Sequence, residues 1–247
     1  MKKILTFLLC IALIQVSNAQ FGKLKKAAKK AESKVAEVTG GNGISKDEIG
    51  NGLKEALNVG VGNAVEFLSA ENGYLGSEYK ILLPDEAISV IKKVKRVPGF
   101  EDADKKMITL MNRAAENAAN KAKPIFVSAI KKMTIEDAMN LLMGNNDAAT
   151  RYLEKSTNTE LFNEFMPVVQ NSLDEVNATK YWNSIAKTYN RLPMTKDVDP
   201  ELDRYVTNRA LVGLFGLVEK KELDIRKNKS SRTTELLSKV FAKQDGK

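Results

Sequence analysis

The chain has 247 residues, with 39 Lys and Arg against 31 Asp and Glu, no His and a single Cys at position 10. This composition excludes Ser-His and Cys-His catalysis and zinc sites built from Cys and His. Any chemistry must use carboxylates, Lys, Arg, Tyr, Ser or Thr, and any metal would be oxygen-ligated. The sequence predicts neither a metal nor another cofactor.

The first 19 residues have the pattern of a secretory signal peptide. Two lysines precede the apolar run from Ile4 to Val16, and Ser17 and Ala19 occupy the −3 and −1 positions of a cut before Gln20. As a helix, the run spans roughly 20 Å, less than the roughly 30 Å of bilayer hydrocarbon. We therefore predict an exported protein of the periplasm or cell envelope, with a cysteine-free mature chain. The alternative, a lipoprotein cysteine at Cys10, lacks the small residue needed before it.

The excess positive charge lies in an N-terminal arm, residues 20–43. The arm holds six Lys and two Glu, whereas residues 44–247 hold 31 basic and 29 acidic residues. A nucleic-acid-binding domain carries a basic face on its folded body. Because this body is nearly neutral, we expect no nucleic acid partner.

The arm also has the periodicity of an amphipathic helix from Gln20 to Val38. At 100° per residue, the apolar residues fall on one arc and the lysines on the other. The apolar residues are Phe21, Leu24, Ala28, Ala31, Val35 and Val38. Two interpretations stay open: a helix lying on an anionic membrane surface, or a loosely ordered arm. Gly40 to Gly43 would then form a hinge.

The rest of the chain predicts an all-α, single multi-helix bundle-like domain over residues 44–247. A capping-box pattern, Ser45 with Glu48, begins a helix that carries an apolar stripe to Leu68. Further helices are predicted at 85–96, 102–121, 124–132, 135–143, 146–155, 159–176, 179–190, 201–227 and 232–242. A short extended segment is predicted near 79–83, because Pro84 disfavours helix before it.

Glycines predict three local features. Gly73 suits the left-handed position past the end of the first helix. Gly60 and Gly62 predict an interruption of that helix, through close packing or a kink. Gly213 and Gly216, in a run that is apolar all round, would let a neighbouring helix approach.

Other residues predict where helices begin, bend and end. Thr134 with Asp137 predicts a cap, and Gly144 predicts a stop. Pro124 suits a first helical position, and Pro167 should kink its helix.

Several stretches together resemble a known bacterial family. They are AENGYL from Ala70, MNRAAENAANKAKPIF from Met111, MTIEDAMNLLMGNNDAATRYLEKST from Met133, YVTNRALVGLF from Tyr205 and RTTELLSKVF from Arg232. Their order and spacing resemble the exported family called domain of unknown function 4197. The resemblance implies an exported helical domain, and it supplies no activity, catalytic residue or ligand. Val212 and the run 227–231 depart from the family's pattern.

The resembling stretches contain polar residues that a fold alone seldom requires. They are Glu71, Asn72, Tyr74, Asn112, Arg113, Glu116, Asp147, Thr150, Arg151, Arg232 and Thr233. In one interpretation, Arg113 and Arg151 pair with Glu71 or Asp147 and tie helices together. In the other, the residues form a polar pocket for a small ligand. Asp147 could also cap its own helix.

The composition favours a non-catalytic binding or interaction module, whose partner is a small ligand, a protein or the membrane surface. No residue is assigned a catalytic role. The alternative is a glycosidase-like hydrolase that uses Glu71 with Asp147 or Glu116, since such enzymes need two carboxylates in different environments. A calcium loop at 144–147 is disfavoured because it lacks the alternating acidic ligands of an EF-hand.

Overall fold

The computed structural model describes residues 45–191, 201–242 and 245. The chain is all-α. The helices are α1 (Lys46–Ser69), α2 (Asp85–Val94), α3 (Ala103–Ala119), α4 (Ala122–Lys132), α5 (Ile135–Met143), α6 (Ala148–Glu175), α7 (Ala178–Asn190), α8 (Leu202–Lys227) and α9 (Glu235–Phe241), with a 3₁₀ turn at Lys229–Ser231. The predicted signal peptide and the basic arm lie outside the described residues. Among the described helices, none is both long and apolar enough to cross a membrane.

Helices α3, α6 and α8 form the centre of the bundle. Helix α6 packs against α3, α4 and α8, and α3 also packs against α8. Helix α3 is buried around most of its circumference, and many of its core residues are small: Ala103, Ala114, Ala115, Ala118 and Ala119. Alanine allows close helix approach, so two polar residues of α3, Asn112 and Glu116, are also buried. The side of α3 that carries Glu116 is therefore covered as well.

The two helices predicted at 146–155 and 159–176 are one helix, α6. The polar residues between them do not break it, because their hydroxyls bond within the helix. Ser156 donates to the Tyr152 carbonyl at 2.8 Å and Thr157 to the Leu153 carbonyl at 2.6 Å. Thr157 is itself buried and continues the core stripe toward Leu161. The helix also continues past Pro167 to Glu175.

The helix-start predictions have mixed outcomes. The capping box at Thr134 is confirmed: its hydroxyl accepts from the Asp137 N–H at 3.0 Å, and the Asp137 carboxylate accepts from the Thr134 N–H at 3.0 Å. The prediction for Pro124 is wrong, since Pro124 is the third residue of α4. Helix α1 is continuous through Gly60, and close packing describes this glycine, since it is buried and a Cβ there would lie 3.6 Å from Cβ of Lys221.

The connection between α1 and α2, residues 70–84, is called the strap here. The structure assigns no strand to it. The left-handed residue past α1 is Asn72, with φ 66°, and not Gly73. Gly73 is needed for a different reason: a Cβ there would lie 2.2 Å from the Phe67 carbonyl oxygen. Asn adopts the left-handed conformation more readily than most residues, so Asn72 makes the turn. Gly73, which has no side chain, can then lie against the backbone of α1.

The strap, and not a helix, covers the glycines of α8. A Cβ at Gly213 would lie 2.9 Å from Cε1 of Tyr74 and 3.2 Å from Cβ of Tyr79. A Cβ at Gly216 would lie 3.3 Å from Cε1 of Tyr79. The expected neighbouring helix is therefore replaced by two aromatic side chains. Most of the apolar run of α8 is buried, but Val212 is 60% exposed.

Candidate functional site

The strap is held by Glu116, a carboxylate from the centre of the bundle that is 3% exposed. Its Oε1 accepts from the backbone N–H groups of Tyr74 and Leu75, both at 3.1 Å. Its Oε2 accepts from Nη1 of Arg113 at 2.6 Å. Buried backbone N–H groups and buried charges need partners, and this carboxylate satisfies both requirements at once.

Arg113 lies between two carboxylates. Its Nη2 donates to Oδ1 of Asn72 at 3.0 Å and contacts Oε1 of Glu71 at 3.3 Å, while its Nη1 binds Glu116. The Arg113 side chain is 28% exposed and that of Glu71 is 81% exposed. The guanidinium thus joins a solvent-facing acid to a buried one and fixes the start of the strap on α3.

Asn112 fixes the far end of the strap. Its Oδ1 accepts from the Ile81 N–H at 2.8 Å, and its Nδ2 donates to the Ile81 carbonyl at 2.8 Å. This reciprocal pair imitates the exchange between two strands. The segment near 79–83, which was predicted to be extended, forms no strand. At Ile81, the side-chain amide of Asn112 makes the hydrogen bonds that a neighbouring strand would make.

Tyr74 joins the strap to α8. Its hydroxyl donates to the Ala210 carbonyl at 2.8 Å, and the side chain is fully buried. Burial raises the pKa of the Tyr74 phenol, and the nearby Glu116 carboxylate raises it further. The phenol therefore stays protonated and acts as a donor.

A second polar cluster surrounds the start of α6. Glu222 of α8 is buried, and it accepts from the N–H groups of Ala149 and Thr150 at 3.1 and 2.7 Å. The Thr150 hydroxyl also donates to it at 2.7 Å. Helix starts leave unpaired N–H groups, and here a residue 72 positions away in sequence supplies the acceptor. Asp147 occupies the N-cap position, but its side chain makes no capping hydrogen bond.

Arg226 of α8 completes this cluster and caps the end of α5. Its Nε and Nη2 bind Oε1 of Glu222 at 2.9 and 2.7 Å. Its Nη1 and Nη2 donate to the carbonyls of Leu142 and Leu141, at the end of α5, at 3.0 and 2.9 Å. One ion pair on α8 thus caps the end of α5 and the start of α6.

Arg232 caps α8 itself. Its Nε and Nη2 donate to the carbonyls of Ile225 and Arg226 at 3.0 and 2.9 Å. Its guanidinium also binds Asp245 through two contacts of 3.0 and 2.7 Å. Orphan carbonyls at a helix end favour a cation, and this arginine is 2% exposed.

The structure divides the eleven polar residues singled out in the sequence among separate places. Six meet at the strap: Glu71, Asn72, Tyr74, Asn112, Arg113 and Glu116. Asp147, Thr150 and Arg151 lie at the start of α6, where Arg151 pairs with Asp147 at 3.5 Å and also with Glu154 and Glu219. Arg232 and exposed Thr233 follow α8.

Sequence reasoning missed Glu222 and Arg226. A signal for them exists: they continue the buried stripe of α8 through Leu211, Leu214 and Val218 at spacings of three and four. An acid and an arginine four residues apart on a buried stripe indicate an internal ion pair, because buried charges are seldom left unpaired.

The strap geometry gives little support to carboxylate catalysis. A glycosidase leaves space between its two carboxyls for the scissile bond. Between Glu71 and Glu116, the Arg113 guanidinium occupies that space. Asp147 pairs with Arg151 in the other cluster. Within the part of the chain that the structure describes, no three His, Cys, Asp or Glu side chains group closely enough to hold a metal ion.

Comparison with known proteins gives one match. No curated protein and no solved structure matches the chain. A family described as protein of unknown function, DUF4197, matches residues 43–242. This match covers the whole helical bundle from α1 to α9 and agrees with the resemblance drawn from the five sequence stretches. The chain therefore belongs to the DUF4197 family of proteins of unknown function.

Proposed function

We propose that this chain is an exported, non-catalytic binding or interaction module of the cell envelope. The observation that carries the proposal is the coordination of Glu116. Its oxygens accept from two backbone N–H groups and from Arg113, so the carboxylate has a complete structural role. A general acid or base must exchange a proton with a substrate. The hydrolase alternative that uses Glu71 with Asp147 or Glu116 therefore receives no support from the contacts of these residues.

We further propose that the basic arm brings the module to an anionic membrane surface. The support comes from the sequence: six lysines face one side of the amphipathic pattern from Gln20 to Val38, and the body is nearly neutral. Each lysine near an anionic surface contributes about 1 kcal/mol. Because the apolar face has few large side chains, binding should depend on lipid charge and weaken with added salt.

Vesicle flotation tests this proposal. The chain from Gln20 should float with vesicles that contain phosphatidylglycerol and should not float with pure phosphatidylcholine vesicles. A variant with the six arm lysines changed to Gln keeps the helix propensity and apolar face, and it should lose binding. Equal binding by this variant, or binding that is insensitive to lipid charge, would contradict the membrane role. N-terminal sequencing of the exported protein checks the predicted cut before Gln20.

A further inference from the structure

Arg232 forms a carboxylate-binding site that a residue of the same chain, Asp245, occupies. Its guanidinium donates to both oxygens of Asp245, at 3.0 and 2.7 Å, and Lys229 adds a contact of 3.2 Å to the same carboxylate. The Arg232 side chain is 2% exposed, whereas Lys229 is 76% exposed. The hydrogen bond from Arg232 lowers the pKa of the Asp245 carboxyl, so this group is ionised at neutral pH. Leaving a desolvated guanidinium without an anion is costly, so this pairing stabilises the closed arrangement.

The helix next to this carboxylate covers an apolar cavity. Leu237, Val240 and Phe241 of α9 are buried, and the guanidinium of Arg232 lies 5.9 Å from the Phe241 ring. The cavity behind that ring measures about 10 Å³, the room of one water molecule. Its other lining residues come from α1 and α8, among them Leu53, Gly60, Val218 and Ile225.

A polar groove adjoins the same cavity. It measures about 160 Å³, and Gly60 and Ile225 line both spaces. Its polar lining residues are Asn63, Lys221, Asp224, Ser231 and Thr233. The last two flank Arg232 in sequence. The cationic side chain of Arg232, the polar groove and the apolar cavity are therefore neighbours. One acid, Asp224, lines the groove.

We propose that α9 and Asp245 are a displaceable lid, and that the site beneath binds a fatty carboxylate. The ligand's carboxylate takes the place of Asp245 on Arg232 and Lys229, and its hydrocarbon chain takes the place of the Phe241 ring. The lid itself indicates this ligand. It places the Asp245 carboxylate on Arg232 and Lys229 and the apolar Phe241 ring on the cavity, as a fatty carboxylate would place its head group and its hydrocarbon chain. A helix of seven residues has little stability of its own, so its closure depends on these contacts.

This inference rests on the binding role proposed above and is independent of the membrane arm. The ligand binds the open form alone, so its apparent dissociation constant is raised by the small fraction of molecules that are open. Weakening the contact between Asp245 and Arg232 increases that fraction and leaves the ligand's own contacts intact. The inference thus predicts that a variant of the lid binds more tightly than the natural chain.

Calorimetric titration with dodecanoate, below its micelle concentration and without vesicles, tests this. Asp245→Asn should bind dodecanoate about tenfold more tightly than the natural chain from Gln20. Glu235→Gln is the matched control, because it removes one acid from the exposed face of α9, where Glu235 pairs with Lys239. This control should bind as the natural chain does.

Two further measurements identify the head-group contact. In the Asp245→Asn background, where the lid carboxylate is absent, Lys229→Ala should weaken dodecanoate binding, and dodecanol should bind Asp245→Asn more weakly than dodecanoate does. The proposal is overturned if dodecanoate binds neither chain, or if Asp245→Asn leaves dodecanoate affinity unchanged, whatever its melting temperature. Because no membrane is present, these outcomes are independent of the flotation result.

Discussion

Replacing Glu116 by Gln tests whether this carboxylate is a structural acceptor. Glutamine keeps one oxygen for the N–H groups of Tyr74 and Leu75 but turns an amide NH₂ toward Arg113. A hydrogen bond to a charged group contributes about 1.5–3 kcal/mol. Arg113 is 28% exposed, so water compensates for part of its lost partner. We expect Glu116→Gln to lower the free energy of unfolding by about 2 kcal/mol.

The matched control is Glu71→Gln, since Glu71 contacts the same guanidinium at 3.3 Å but is 81% exposed. An exposed pair of this kind contributes about 0.5 kcal/mol or less. Urea unfolding at neutral pH, followed by circular dichroism, gives both values, and equal denaturant slopes show that the unfolded states are comparable. Equal losses for the two variants, or no loss for Glu116→Gln, would refute the structural role of Glu116.

Two further predictions concern single helices. Gly62→Ala should raise the free energy of unfolding by about 0.5–1 kcal/mol, because the new Cβ meets nothing within 4 Å beyond the adjacent backbone of its own helix and alanine favours helix. Gly52→Ala in the same helix should lower it, since its Cβ would meet Val240 at 2.5 Å; thermal unfolding that ranks the two variants the other way would contradict this packing. Thr134→Ala should lower the melting temperature, and the difference from the natural chain should shrink in acid. The Thr134 hydroxyl holds the pKa of Asp137 below its ordinary value of 3.8, so this contribution is complete above that pH and is lost as the pH falls through the lower, folded-state pKa. A melting-temperature difference that is constant from neutral pH to pH 2 would contradict the link.

Local sequence signals predicted most of the helices because their causes are local. Apolar residues at spacings of three and four mark a buried face, and α5 begins and ends where Thr134 and Gly144 indicated. The break predicted between 155 and 159 is wrong because tertiary packing adds to the local hydrogen bonds there: the bundle buries Thr157, and the helix continues.

The candidate site could be predicted in part. The six strap residues were among the eleven polar residues selected, and the structure brings Glu71, Arg113 and Glu116 together. The division of the eleven polar residues among the strap, the start of α6 and the end of α8 could not be predicted, because Glu222 reaches the start of α6 across 72 residues of sequence. The pairing of Arg232 with Asp245 was missed for a similar reason, since nothing in the spacing of 13 residues indicates contact.

The sequence by itself determined the all-α class, the family and the limits on chemistry, because these follow from periodicity, from ordered motifs and from the absence of His. Tertiary structure alone decided what the polar residues do. Glu116 binds strap amides, Glu222 binds the first amides of α6, and Arg232 binds the last carbonyls of α8. A carboxylate or guanidinium has the same chemistry in any sequence. Its role depends on which unpaired backbone groups the fold brings within hydrogen-bond distance, and packing of the whole bundle determines that.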